Sequence, residues 1–124
     1  MHDQAAHDLA VRAADLCLGK GAEDVAVLRM PKGPEYDYLV VASARSERQS
    51  HTLVDEVFGF CKKHRVPHRP IEGDTGWFLI DCHSVVVHAM GEAQRAYYQL
   101  EKMWKDAVVI DWQAELARLP KLDA

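Results

Sequence analysis

Apolar residues recur at helical spacing in several segments of the chain. Near the start, Leu9, Ala13 and Leu16 stand at i, i+4 and i+7, which places them on one face of a helix. A second helix starts at Ser46, because Ser46 and Gln49 have the spacing of a capping box and an amphipathic pattern follows them. The predicted helices cover residues 3–18, 46–64 and 92–104, with a further short helix around 112–119.

Short apolar runs rich in strand-forming residues separate these helices. The run at 36–42 has a continuous apolar centre, which predicts a strand that is buried on both faces. The predicted strands cover residues 24–30, 36–42, 69–72, 77–81 and 85–90. This order of elements indicates an α/β or α+β domain in which helices flank a mixed five-stranded sheet.

The stretch 77–90 predicts a β-hairpin with His83-Ser84 as its two-residue turn, so that Leu79 lies opposite His88. One face of this hairpin carries only apolar side chains, from Phe78, Ile80, Cys82, Val85, Val87 and Ala89. The other face is mixed and carries Trp77, Leu79, Asp81, Val86, His88 and Met90. A slip of one residue would mix the two sets, so this sorting supports the register.

The mixed face of the hairpin is the best candidate for a binding surface. Aromatic residues and methionine are enriched at protein interfaces, and a tryptophan such as Trp77 is a typical anchor. A helix that covered this face would instead make it part of the core, and the composition leaves both interpretations open. Asp81 favours exposure, because an unpaired buried carboxylate is costly.

The composition is typical of a globular domain. Of the 124 residues 48% are hydrophobic, and 15 cationic against 19 acidic side chains give a formal charge of −4. This balance argues against a protein that grips nucleic acid along a basic stripe. The only basic cluster comprises Lys62, Lys63, Arg65 and Arg69. Because the sequence shows neither a membrane-spanning apolar run nor the pattern of a signal or transit peptide, we expect a cytoplasmic protein.

Motifs for catalysis and metal binding are sparse. The chain has no G-x-S-x-G, no glycine-rich phosphate loop and no D-x-D pair, so a nucleophile, a base and a metal cage are not found together. His64 and His68 stand at i, i+4, but Pro67 interrupts the helix and no carboxylate completes a zinc motif. Asp81 and His88 share a hairpin face, either as an acid–base pair or as a surface pair. We therefore expect no catalytic residue, no cofactor and no metal site.

Ordered blocks along most of the chain resemble one protein family. They read Asp-Tyr-Leu-Val-Val-Ala-Ser at 37–43, Ile-Glu-Gly at 71–73, Trp-Phe-Leu-Ile-Asp at 77–81, Val-Val-Val-His at 85–88 and Tyr-Tyr-Gln-Leu-Glu-Lys-Met-Trp at 97–104. In this order and spacing, and over about residues 20–104, they resemble the Iojap family of ribosomal silencing factors. Several ordered blocks are far more specific than any one motif.

The resemblance implies a translational repressor that is not an enzyme. It implies docking on the large ribosomal subunit, through the large-subunit protein conventionally numbered fourteen, and steric blocking of the small subunit. It also implies a fold similar to nucleotidyltransferases without their catalytic carboxylates. The matching blocks place the docking surface on Trp77, Leu79, Asp81, Val86, His88 and Met90, together with Glu72 and Tyr98. An acidic protein suits a basic ribosomal protein better than bare RNA, so little direct contact with nucleic acid is expected.

The sequence departs from the family pattern at the hairpin turn and at the C-terminus. The turn reads His83-Ser84, where the family usually has Gly-Asp, and no family block corresponds to the segment after Asp106. We therefore expect an Iojap-like domain over residues 1–106 and a C-terminal tail over 107–124 that includes, at most, a short helix.

Two other functions fit the same scaffold. One is a nucleotide-binding or nucleotidyltransferase-like enzyme, for which Asp37 and Asp81 are the obvious magnesium donors. The other is a homodimer that uses the mixed hairpin face on itself.

Overall fold

The computed structural model describes residues 4–31, 36–99 and 106–122, which form a six-stranded sheet with helices packed on it. The helices are α1 (Gln4–Gly19), α2 (Glu47–Lys63), α3 (Glu92–Tyr98) and α4 (Trp112–Leu116). The strands are β1 (Glu23–Arg29), β2 (Tyr38–Ala44), β3 (Glu72–Asp74), β4 (Trp77–Asp81), β5 (Val85–Gly91) and β6 (Val108–Ile110). The mixed α and β fold class predicted from the sequence is confirmed.

The strands lie in the order β3-β4-β5-β2-β1-β6. The central neighbours β2 and β5 are parallel, and the other neighbouring pairs are antiparallel. Strand β2 is buried along its whole length, as its continuous apolar run predicted. On one face of the sheet, small residues of α1 such as Ala10 and Ala14 pack with Val54 and Val57 of α2 into the main core. Each fully buried valine contributes roughly 1.5–3 kcal/mol of transfer free energy.

Helix α2 begins where the sequence predicted. Ser46 is the N-cap, and its hydroxyl oxygen accepts the backbone N–H of Gln49 at 3.0 Å. The return bond differs from a capping box, because the Gln49 amide oxygen accepts from the backbone N–H of Arg45 at 2.6 Å. The Gln49 amide nitrogen also donates to the carbonyl of Lys20, which ties the start of α2 to the loop after α1.

The β4–β5 hairpin has the register that the sequence predicted. Leu79 pairs with His88 and Ile80 with Val87, and the backbone N–H of Cys82 donates to the Val85 carbonyl at 2.8 Å. The turn residue His83 has a φ of 65°, in the left-handed region where glycine is preferred. The register is therefore the predicted one, although the turn holds the His83 side chain in a strained backbone position.

We expect His83→Gly to raise the free energy of unfolding by about 0.5 kcal/mol, because relief of the left-handed strain exceeds the added chain entropy. His83→Val should lower it by about 1 kcal/mol, because a β-branched residue tolerates positive φ poorly. Urea denaturation of the three proteins measures both changes. A glycine variant that is less stable than the parent would contradict this account of the turn.

The edge strand β3 differs from the sequence prediction. The predicted strand at 69–72 is replaced by Glu72–Asp74, although the backbone N–H of Arg69 still donates to the Asp81 carbonyl at 2.8 Å beside the end of β4. Gly73 has a φ of 117°, and a Cβ there would clash with the carbonyl oxygen of Trp77. The strand is therefore shorter and begins later than the apolar pattern indicated.

The segment after Asp106 contributes to the same sheet and core. Strand β6 pairs with β1, which adds the sixth strand, and the predicted short helix is present as α4. Trp112 is buried, and its indole N–H donates to the Val25 carbonyl at 3.1 Å. The imidazole Nε2 of His7 lies 3.1 Å from the Glu115 carboxylate, so α1 and α4 are joined by a polar contact as well.

Candidate docking surface

The sheet presents two faces of different character. Residues of α1, α2 and α4 share one hydrophobic cluster with the first face. The opposite face carries a second cluster whose buried members are Leu28, Met30, Leu39, Val41, Val86 and Met90. Among the residues whose side chains the structure describes, no helix residue belongs to this second cluster. Trp77 and Leu79 pack against its side as partly buried residues.

Two of the predicted docking residues lie inside this second cluster. Met90 is fully buried, and Val86 is only 9% exposed. The parallel pairing sets Leu39 opposite Val86, so an apolar neighbour flanks it on β2. The expectation that Val86 and Met90 contact a partner directly is therefore corrected, because their side chains support the sheet face from within.

The outer strands carry the accessible part of this face. Trp77, Leu79 and Asp81 alternate along β4 and are all half-buried. On the edge strand, Glu72 pairs with Leu79, and Asp74 pairs with Trp77. Both of these β3 carboxylates are exposed. We call these five residues the acidic edge surface, since an aromatic and an aliphatic side chain lie among three carboxylates.

Asp74 is a member of this surface that the sequence pattern did not identify. The strand predicted at 69–72 ended before it, so no residue of the edge strand was assigned opposite Trp77. Gly76 was the usable signal, because glycine is favoured in two-residue hairpin turns. In the structure Thr75 and Gly76 have positive φ values (46° and 86°) and form the turn that joins β3 to β4. Tyr98 was also predicted at the docking surface, and its side chain lies outside the described residues, as do residues 100–104 of the third predicted helix.

Trp77 is held in place by His88. The indole N–H donates to the imidazole Nδ1 at 3.0 Å, and the two ring centroids lie 6.0 Å apart. This bond requires an unprotonated Nδ1 as acceptor. Burial lowers the pKa of His88 from 6.5 to about 4, because desolvation penalises the charged imidazolium. At neutral pH His88 is therefore uncharged and orients the indole.

Asp81 closes the hairpin rather than pairing with His88. Its Oδ1 accepts the backbone N–H of His83 at 2.7 Å, a local bond that supports the turn. In the described part of the chain, Asp81 and His88 form no hydrogen bond with each other. The expected acid–base or surface pair is therefore wrong, because His88 points its acceptor at Trp77 and Asp81 bonds its own turn.

The charge of the acidic edge surface is uncompensated within the described residues. Glu72, Asp74 and Asp81 form no salt bridge there, since the ion pairs involve His7 with Asp8 and Glu115, Lys20 with Glu56, and Arg118 with Glu115. Three carboxylates around an indole can attract and position a cationic partner.

Neither a metal centre nor a membrane-spanning helix is found in residues 4–31, 36–99 and 106–122. They hold no group of three or more His, Cys, Asp or Glu side chains that is placed to hold a metal ion. The helices in these ranges are each too short or too polar to cross a membrane.

Comparison with known proteins gives a consistent result. A family model described as "Ribosomal silencing factor during starvation" matches residues 3–123, a range that includes the C-terminal segment. A ribosomal silencing factor RsfS from Halalkalibacterium halodurans is 33% identical over 121 residues, which cover 94% of this chain and all of that protein. The mouse protein named mitochondrial assembly of ribosomal large subunit protein 1 is 32% identical over 104 residues, 79% of this chain and 46% of its own length.

Solved structures show the same fold. A crystal structure of a protein from Chromobacterium violaceum has a TM-score of 0.72 at 30% identity, covering 85% of this chain and 88% of that chain. A second crystal structure, from Bacillus halodurans, has a TM-score of 0.68 at 35% identity and covers 86% of this chain and 98% of that chain.

Proposed function

This chain belongs to the ribosomal silencing factor family, and on that premise we propose that it represses translation by docking on the large ribosomal subunit and blocking the small subunit. Family membership supports the role of a ribosomal silencing factor. The proposal adds the surface through which the protein docks, and it adds the step that is blocked, which is the joining of the small subunit.

The partner that we propose is the large-subunit ribosomal protein conventionally numbered fourteen, at the subunit interface. A basic ribosomal protein is complementary to a chain with a net charge of −4. The name of the mouse relative links that protein to the large ribosomal subunit, which supports the choice of subunit. We place this activity in the cytoplasm, where the bacterial relatives' ribosomes translate.

The acidic edge surface is the observation that carries the proposal. Trp77 is half-buried and held by His88, so its ring is pre-oriented and loses little freedom when a partner covers it. Glu72, Asp74 and Asp81 surround it with negative charge. An oriented tryptophan with a charged rim is the arrangement expected of an interface anchor.

The proposed mechanism is steric and needs no catalytic group. A bound domain of this size covers part of the subunit interface, and the small subunit cannot occupy the same space. Repression then depends on how long the protein stays bound. The affinity of the acidic edge surface therefore sets the strength of silencing.

The test is an association assay with purified subunits. Large subunits incubated with an equimolar amount of the protein should fail to join small subunits when magnesium is raised, as measured by light scattering. The double variant Trp77→Ala/Asp81→Asn should leave association intact. Unimpaired joining in the presence of the unaltered protein would refute the proposal, and heat released on titration with ATP and magnesium would favour the enzyme alternative.

A further inference from the structure

A basic turn, formed by the end of helix α2 and the residues after it, lies outside the acidic edge surface. It comprises Lys62, Lys63, Arg65 and Arg69, all of them exposed. None of the four forms a salt bridge with any residue in the described ranges. The Lys62 Nζ lies over the Phe58 ring, 5.7 Å from its centroid, whereas Lys63, Arg65 and Arg69 are cations without an ion-pair partner in the described residues of a chain whose formal charge is −4.

The backbone of this turn is well defined. The N–H of Val66 donates to the Cys61 carbonyl at 2.8 Å, and the N–H of Arg65 donates to the Lys62 carbonyl at 3.4 Å. These two bonds form the Schellman motif that ends many helices. Nearby, the His68 imidazole makes an edge contact with the Phe58 ring, 4.9 Å between centroids. The basic side chains are therefore displayed from an ordered scaffold.

Arg65 occupies a position for which glycine is preferred. Its φ is 57°, and the residue at this place in a Schellman motif is usually glycine because it has no Cβ. Lys62 and Lys63 lie in the last turn of α2, where cations also favour the negative end of the helix dipole. The helix dipole does not explain the cations at Arg65 and Arg69, because these two residues lie beyond the end of the helix.

The turn lies beside the acidic edge surface. The backbone N–H of Arg69 donates to the carbonyl of Asp81, the last residue of β4. A cationic protein docked on the carboxylates would repel the basic turn, so the neighbour that is complementary to the turn is an anionic one. On a ribosomal particle, the anionic surface next to any ribosomal protein is the RNA backbone.

We propose that the basic turn contacts ribosomal RNA phosphates while the acidic edge surface holds the ribosomal protein. This contact would be a local exception to the little nucleic-acid contact that the net charge led us to expect. This inference rests on the proposed function and extends it to a second contact of opposite charge. Lys and Arg are the side chains that neutralise phosphates, and such contacts make affinity depend on salt.

The first test is the salt dependence of binding to purified large subunits. For Lys63→Gln/Arg69→Gln, the slope of log Kd against log salt concentration should fall by about 2, because two phosphate contacts are lost. The matched control is Arg48→Gln/Lys121→Gln, which removes the same charge from exposed sites outside the turn and should keep the parent slope.

The single variant Arg65→Gly separates binding from folding. It should unfold at the same or a higher temperature than the parent, yet bind large subunits with a salt slope lower by about 1. A variant that lost binding only because it was misfolded would have a lower unfolding temperature.

A photo-reactive residue in place of His64 then identifies the neighbour. A cross-link to ribosomal RNA, sensitive to ribonuclease, is expected. An unchanged salt slope in the double variant, or a cross-link to a ribosomal protein alone, would overturn this inference while leaving the silencing proposal standing. Failure of the unaltered protein to bind large subunits would overturn both.

Discussion

Replacing Trp77 with alanine is expected to weaken binding to large ribosomal subunits by about 30-fold or more. Truncation of a central aromatic anchor typically costs about 2 kcal/mol or more, and this corresponds to that factor in Kd. The indole is half-buried and oriented by its bond to His88, so the loss removes a preformed contact rather than a mobile side chain. Co-sedimentation with large subunits over a range of protein concentrations measures the change.

Val109→Ala is the matched control for this prediction. Val109 is 73% exposed and lies on β6, at the opposite edge of the same sheet from β3. Its truncation also removes exposed apolar surface, but it should leave Kd within about twofold of the parent. Equal binding by the parent and by a folded Trp77→Ala variant would rule out the acidic edge surface as the docking site.

Asp81 requires a substitution that spares the turn. Asn at this position keeps an oxygen that can accept the His83 N–H, so Asp81→Asn removes the charge alone. Asp81→Lys removes the acceptor and also reverses the charge. We expect the asparagine variant to associate more slowly with large subunits and the lysine variant to lose both affinity and some stability, because electrostatic complementarity acts chiefly on the association rate.

Acidification from pH 7 to pH 4 is expected to cost the fold about 3 kcal/mol through His88 alone. The pKa of His88 is lowered from 6.5 to about 4 by burial, so the unfolded chain binds its proton more readily than the folded chain. The stability that the folded protein gains from keeping His88 uncharged is fully present above pH 6.5, and it is lost as the pH falls from 6.5 to 4. Protonation of Nδ1 would also break the hydrogen bond that orients Trp77.

Comparison with His88→Gln isolates this effect from the carboxylates that titrate in the same range. The glutamine amide oxygen can accept the indole N–H, but glutamine does not titrate. Urea denaturation at pH 7 and pH 4 should show the parent losing about 3 kcal/mol more than the variant. Equal losses in the two proteins would mean that His88 does not resist protonation in the folded state.

Local sequence patterns predicted the elements whose signals are contained within one segment. The hairpin register followed from the sorting of apolar and mixed residues, and Leu79 does lie opposite His88. The start of α2 followed from the side-chain chemistry of Ser46. Both features depend on residues that are close in sequence, so they need no knowledge of the rest of the fold.

Features that depend on distant pairing were not predicted. Strand β6 has only three residues, Val108–Ile110, and its extended form comes from pairing with β1. The burial of Val86 depends on β2 lying beside β5, an order that the sequence does not state. Of the five members of the acidic edge surface, the sequence analysis therefore included Glu72, Trp77, Leu79 and Asp81. Asp74 and the inner boundary at Val86 and Met90 required the observed strand bounds and the strand order.

Contacts between residues that are far apart in sequence determine when the fold can be completed during synthesis. His7 and Glu115 are 108 positions apart in sequence, and Trp112 bonds to Val25 across 87 positions. During synthesis the first helix and first strand emerge long before the residues that complete them, so one edge of β1 stays unpaired until Val108–Ile110 have been made. A ribosomal silencing factor of this fold can thus complete its sheet and core only after the ribosome that makes it has translated the codons for residues 108–115.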